Sequence, residues 1–234
     1  MTKKFGGLTA VDHISFDVAP GQVFGIAGPN GSGKSTLFNI ITKVPYTASG
    51  GEVFLEKRPI HTLSPHGIAL AGIARTFQRE TVFASLSAID NVLAAVENKA
   101  RNLSFDQQVG EAEVNLDLVG YPATMHNVAA GQLPVFYRKQ LMVASALAMK
   151  PRVLLMDEPA SSLTGPEIDR MKQIVLAIRG LGITIVLIEH VLPLLMEVSD
   201  RLLVLDQGNV IAHGPPDKVV AEPAVIEAYL GMPA

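Results

Sequence analysis

Nine consecutive residues constrain this chain more than any others: Gly28-Pro29-Asn30-Gly31-Ser32-Gly33-Lys34-Ser35-Thr36 has the spacing G-x-x-x-x-G-K-[ST]. The segment follows the apolar run Val23-Phe24-Gly25-Ile26-Ala27 and precedes Leu37-Phe38-Asn39-Ile40-Ile41, so strand, tight loop and helix are predicted in that order. Glycines let successive backbone N–H groups turn inward around an anion, and the helix start adds the positive end of its dipole at the same spot. All nine residues are therefore candidate contacts to a nucleotide's phosphates. Lys34 is expected to bridge the β- and γ-phosphates of ATP, and the Ser35 hydroxyl to ligate Mg²⁺.

A second polar cluster follows another buried run. Val153-Leu154-Leu155-Met156 leads into Asp157-Glu158-Pro159, and ligands gather at the carboxyl edge of such strands. Asp157 is expected to hold Mg²⁺ through its water shell. Glu158, pointing the other way along an extended chain, is the candidate to orient or deprotonate an attacking water, with Pro159 ending the strand. A third polar end, Glu189-His190, comes after Ile183–Ile188, and His190 is expected to reach the γ-phosphate region.

The short all-apolar runs, with Leu202–Leu205, indicate strands covered on both faces and hence a mainly parallel central sheet flanked by helices. Alternation over Ile14–Val18 and Gly51–Leu55 predicts antiparallel strands near the N-terminus. From about Arg79 to Lys150 the periodicity becomes helical, broken near Gly120-Tyr121-Pro122. The expected fold class is α/β: a P-loop NTPase core with an N-terminal antiparallel β lobe and an inserted helical lobe. It forms one domain, with about 1–78 and 151–234 as core and β lobe, about 79–150 as the insertion, and a short amphipathic helix over Ala224–Leu230 near the end.

A net charge of −3 gives no basic footprint, so no nucleic-acid partner is expected. With no cysteine there is neither a disulfide framework nor a thiolate metal site, in keeping with a reducing compartment. No signal peptide is read at the N-terminus, and no apolar run approaches the roughly 20 residues of a membrane-spanning helix. Membrane association is expected to go through another protein.

These motifs, in this order, resemble the nucleotide-binding subunits of ABC transporters over almost the whole chain. The resemblance implies that Phe5 stacks on adenine and that Gln78, in Arg75-Thr76-Phe77-Gln78, is the Q-loop residue, a metal ligand that also links nucleotide state to the helical lobe. It places Asp157 and Glu158 at the Walker B and catalytic-glutamate positions, Ser161–Thr164 at the D-loop and His190 at the switch. Phe5-Gly6-Gly7-Leu8, Arg75–Gln78, Ile188-Glu189-His190 and Ala228-Tyr229-Leu230-Gly231 are similar to the branch that powers branched-chain amino acid uptake, within it to the larger of two paired ATPase subunits. The implied partners are a second ATPase subunit in a homo- or heterodimer, integral membrane permease subunits whose coupling helix meets the helical lobe and, indirectly, a solute-binding protein. The implied location is the cytoplasmic face of the inner membrane.

One stretch departs from the family. In the ungapped register the signature, usually Leu-Ser-x-Gly-Gln, falls on Leu133-Pro134-Val135-Phe136-Tyr137, where only the leucine is retained; a shifted register uses Ala129-Ala130-Gly131-Gln132. Proline removes a hydroxyl and an N–H, and Phe136 replaces a glycine that permits close backbone approach. The ungapped register is preferred because Arg138-Lys139-Gln140-Leu141 then continues the family helix without a break. Thr164 and Ser145 differ from many relatives as well. The leading expectation is an ATP-hydrolysing subunit of an importer. The alternatives are a soluble ABC-type ATPase, or a nucleotide-responsive subunit with little turnover.

Overall fold

The computed structural model describes residues 1–99 and 102–230; the Gly231–Ala234 tail, including the last residue of the Ala228–Gly231 string, lies outside them. An N-terminal hairpin pairs β1 (Lys3–Phe5) with β2 (Leu8–Val11), and β3 (Val23–Ala27) then runs into the glycine-rich loop and α1 (Lys34–Thr42). A second small hairpin, β4 (Phe54–Leu55) with β5 (Arg58–Pro59), turns through Glu56 and Lys57, both at positive φ. Next come α2 (Pro65–Ala71) and β6 (Ile73–Thr76), then three helices in succession: α3 (Ala88–Lys99), α4 (Phe105–Leu118) and α5 (Val135–Ala148). The chain returns through β7 (Val153–Asp157), α6 (Gly165–Gly180), β8 (Thr184–Ile188), α7 (Leu192–Val198), β9 (Arg201–Asp206), β10 (Asn209–Gly214), α8 (Pro216–Val219) and α9 (Pro223–Leu230).

The central sheet has the order β10-β9-β3-β8-β7-β6, with β10 antiparallel and the other pairings parallel. Alternate residues of each strand enter different cores. Phe24, Ile26, Leu155, Val186 and Ile188 pack with α1 through Leu37 and Phe38. Val23, Leu154, Met156, Ile185 and Leu187 belong to the larger core beneath α5, α6 and α7. Burial on both faces explains why these strands read as continuous apolar runs. Because β6, β7, β8 and β3 are parallel, their carboxyl ends share one edge, where the polar segments of the sequence all emerge.

Two expectations need correction. Ile14–Val18 is not a strand. Its alternation reports burial alone: Ile14 is buried, Phe16 and Val18 are partly so, and Ser15 and Asp17 are exposed. Its backbone pairing is limited to Ile14 with Met1. In the 51–55 segment only Phe54–Leu55 is strand, and Val53 adds one backbone bond by accepting the Ile60 N–H at 2.9 Å.

The helices of the 79–150 stretch pack on one another, and Gly120 makes its turn at φ 67°. Leu133–Tyr137 straddles the N-terminus of α5, with Pro134 at the cap and no side-chain capping bond, while Ala130–Gln132 forms a separate 3₁₀ turn. No helix among the described residues is long and apolar enough to cross a membrane.

Candidate active site

The loop between β3 and α1 has the backbone its sequence demands. Gly28 and Gly33 lie at φ 142° and 103°, and a Cβ on either would strike a carbonyl oxygen, Leu205 at 2.1 Å or Ala10 at 2.3 Å. Only glycine fits such close approach at positive φ. Lys34 bends back over the loop, its Nζ donating to Gly28 O at 2.7 Å and Pro29 O at 2.9 Å. Burial lowers its pKa, opposed by the charges of Glu158 and Asp157.

Five of the loop's residues, Asn30 and Gly31 among them, line with Gln78, Glu158 and Ala10 a cleft of about 250 Å³ that also takes in Ser35 and Thr36. Gln78 reaches it from beyond β6, Glu158 from beyond β7. The Gln78 amide donates to Glu158 Oε2 at 2.8 Å. His190, beyond β8 and half exposed, has Nδ1 3.8 Å from the same oxygen. Ser35 Oγ lies 3.4 Å from Asp157 Oδ1. Lys34, Ser35, Gln78, Asp157, Glu158 and His190 are thus gathered at one sheet edge. Gln78 meets Glu158 rather than the Ser35–Asp157 pair. Phe5 stands apart from the cleft lining: it is 38% exposed, with Tyr46 edge-on at 5.1 Å and the Lys3 ammonium 4.8 Å from its centroid.

Glu158 does not alternate with Asp157 along an extended chain. The strand ends at Asp157, two residues before Pro159, and Glu158 has φ 50°. A non-glycine residue in that region costs roughly 1–2 kcal/mol. Its side chain is aimed by this turn and by the Gln78 bond rather than by strand pleating.

Three further residues belong to the site. Arg75 on β6 donates to Asp157 Oδ2 at 2.7 Å and to Asn39 Oδ1 on α1 at 2.8 Å. Lys139 on α5 donates to Glu158 O at 3.1 Å and Ser161 Oγ at 2.8 Å. The Tyr229 hydroxyl on α9 accepts the Gly28 N–H at 2.8 Å. Burial pushes the Asp157 carboxyl up, and the hydrogen bond and charge of Arg75 oppose the shift. The sequence carries a signal for two of these: a charge inside the buried run Ile73–Thr76, and a lysine sharing the apolar helical face of Phe136, Gln140 and Val143. Tyr229 has none beyond a lone hydroxyl on an apolar helix.

A five-strand parallel edge, a glycine-rich phosphate loop after β3 and an acid pair two strands across, after β7, define a P-loop ATPase, and the three-helix insertion between β6 and β7 narrows it to an ATP-binding cassette. The ABC transporter profile matches residues 11–161, and that of the branched-chain amino acid ATP-binding cassette transporter matches residues 209–231. The chain belongs to the ABC transporter family; it is an ATPase whose hydrolysis is coupled to transport.

Among its relatives, the high-affinity branched-chain amino acid transport ATP-binding protein BraF of Pseudomonas aeruginosa is 34% identical, over 99% of this chain and 95% of that protein. LivG of Salmonella typhimurium, described in the same words, is 32% identical over 97% and 94%. A nucleotide-free ATP-binding cassette from an ABC transporter superimposes with TM-score 0.87 at 29% identity, covering 99% of this chain and 96% of the other. The ADP conformation of such a cassette gives 0.86 at 29% identity, with the same coverage.

Proposed function

We propose that this chain hydrolyses Mg-ATP to drive import of branched-chain amino acids or related small polar solutes. The substrate class rests on the relatives, 34% and 32% identical, whose names specify branched-chain amino acid transport. The observation that carries the hydrolytic reading is the convergence of Lys34, Ser35, Gln78 and Glu158 on one cleft. In this reading Lys34 exchanges its bonds to the Gly28 and Pro29 carbonyls for phosphate oxygens, and the loop N–H groups after Pro29, up to Thr36, hold the rest of the triphosphate. Phe5 supplies an exposed face for adenine.

Ser35, Asp157 and Gln78 suit Mg²⁺: a hydroxyl and a carboxylate oxygen already adjacent, with a carboxamide at the same edge, are the hard donors this ion takes. When bound, the ion neutralises charge on the phosphate oxygens. Glu158 accepts the proton of, or orients, the attacking water, Gln78 fixes the carboxylate, and His190 approaches from the other side.

The protein works beside a second ATPase subunit and against permease subunits at the cytoplasmic face of the membrane. An apolar groove of about 430 Å³ between α2, β6, α3 and α5, reached by Phe83 and Met142, is the place for a permease helix. Pro134 without an N–H and Phe136, 2% exposed, make the start of α5 a poor anion contact, so the strong ATP site of the pair uses the partner's signature. The test is ATP-driven uptake by the complex purified with its membrane subunits, compared with this chain alone. Uptake of branched-chain amino acids, with much faster turnover in the mixed pair, supports the reading. Turnover equally fast in this chain alone contradicts the division of labour. The same α5 features favour the second reading, a nucleotide-responsive subunit with little turnover, which predicts ATP binding without phosphate release even with the partner present.

A further inference from the structure

The carboxylate assigned above to water activation is carried on a backbone that needs holding. Glu158 lies one residue past β7 at φ 50°, a conformation an L side chain rarely adopts. Its N–H donates to Ile188 O at 2.9 Å and its carbonyl accepts from Lys139 Nζ at 3.1 Å. The same ammonium donates to Ser161 Oγ at 2.8 Å, three residues further along the same turn.

Lys139 is 6% exposed. Its hydrogen-bond partners are neutral oxygens, an expensive arrangement for a buried ammonium. The carboxylates of Glu189, Glu80 and Glu158 offset that cost only from a distance.

The preceding residue makes a parallel contact. Arg138 Nε donates to Glu80 Oε2 at 2.8 Å, and its guanidinium also bonds the Leu133 carbonyl. Glu80 lies two residues beyond Gln78. Adjacent residues of α5 therefore bond the Glu158 carbonyl and the side chain of Glu80, on the segment that carries Gln78.

We propose that Lys139 is a positioning residue for ATP hydrolysis: it fixes the left-handed Glu158 backbone and thereby ties the aim of the Glu158 carboxylate to the placement of α5. The proposal rests on the role given to Glu158. A movement of α5 against the sheet lengthens the Lys139 bonds, so hydrolysis responds to the helical lobe within the same subunit, by a contact separate from Gln78 itself.

The test compares Lys139→Met, Lys139→Gln and Lys139→Arg with the natural protein, each purified with its membrane partners. Lys139→Met is expected to lower kcat about tenfold, the scale of a misaligned catalytic group, while the Kd for ATP stays within about twofold. Lys139→Gln, a neutral donor with two N–H groups, is expected to recover at least half of that loss, because both acceptors are neutral. A lysine acting through its charge predicts the opposite, rescue by Lys139→Arg and none by Lys139→Gln. Full kcat in Lys139→Met, a Lys139→Gln variant as slow as Lys139→Met, or a Kd that rises in step with the fall in kcat overturns the proposal. Should Lys139→Met not fold, Lys139→Gln alone decides by its kcat, since the proposal requires it to fold and to stay within a few-fold of the natural rate. Glu158→Gln separates the two readings. If it is inactive while Lys139→Met is fully active, only the Lys139 proposal falls; if it turns over at the natural rate, the role of Glu158 falls and Lys139 has nothing to position.

Discussion

Arg75 and Asp157 form a buried ion pair, Nη2 to Oδ2 at 2.7 Å, that leaves Asp157 Oδ1 turned toward the Ser35 hydroxyl at 3.4 Å. The guanidinium also bonds Asn39 and Thr42 of α1 and lies over the Phe38 and Phe77 rings, so one side chain joins β6, β7 and the phosphate-loop helix. Asp157 is 2% exposed. Arg75→Met strands that carboxylate without a partner and is expected to cost about 3–5 kcal/mol in a denaturant titration. A loss below ~1 kcal/mol would show that the pair holds nothing in place.

The Gln78–Glu158 bond gives a kinetic prediction. Glu158→Gln preserves the shape and the loop contacts, so ATP affinity persists while phosphate release falls by about 10²-fold or more. Gln78→Ala frees the carboxylate and lowers kcat with a smaller change in KM. Single-turnover phosphate release with the partner subunits reads both, and an undiminished rate in Glu158→Gln removes that residue from the chemistry.

Tyr229 brings the end of the chain to the start of the phosphate loop. Its hydroxyl satisfies the N–H of buried Gly28, and a buried donor left unpaired costs about 1–3 kcal/mol. Tyr229→Phe removes one oxygen and is expected to weaken ATP binding several-fold and to speed hydrogen exchange at Gly28. Unchanged exchange at that amide would show that the contact does not anchor the loop.

Tyr121 supplies a pH-dependent term. It is 3% exposed with an unpartnered hydroxyl, and burial, with a smaller contribution from Tyr137, raises its pKa to about 12 from 10.0. Below pH 10 the phenol is protonated folded or unfolded and contributes no slope. Above it the unfolded chain releases the proton first, so stability falls from pH 10 toward 12. Tyr121→Phe lacks this term and regains the cost of the unpaired hydroxyl, about 1 kcal/mol at neutral pH. Its advantage over the natural protein should widen by about 1 kcal/mol by pH 11, measured by urea unfolding at both pH values. A constant gap contradicts the assignment.

What the sequence made legible was local. The loop from Gly28 to Thr36 is visible because its spacing and its flanking strand and helix lie in one continuous segment, and the buried strands because both their faces are covered. Glu158 could be named but not aimed: its left-handed backbone depends on Ile188, 30 residues on, and Lys139, 19 residues back. Arg75, Lys139 and Tyr229 escaped notice for the same reason, each finding its partner across the sheet or from the far end of the chain. Ile14–Val18 failed differently, since alternating burial does not require a neighbouring strand to pair with. The preference for Leu133–Tyr137 as the signature register rests on continuity of the following helix, which the structure describes as α5 from Val135. Only the structure shows Phe136 turned into the core, where no substitution of its neighbours makes it a glycine-like contact.

The most direct measurement is a calorimetric titration of the folded protein, with its partner subunits, by Mg-ATP, set beside the same titration of Lys34→Ala. Saturable binding with a bound ATP on this chain, lost or weakened by at least tenfold when Lys34 is removed, is the predicted result. The absence of saturable heat in the natural protein, or equal affinity in Lys34→Ala, contradicts the assignment of residues 28–36 as the triphosphate cradle.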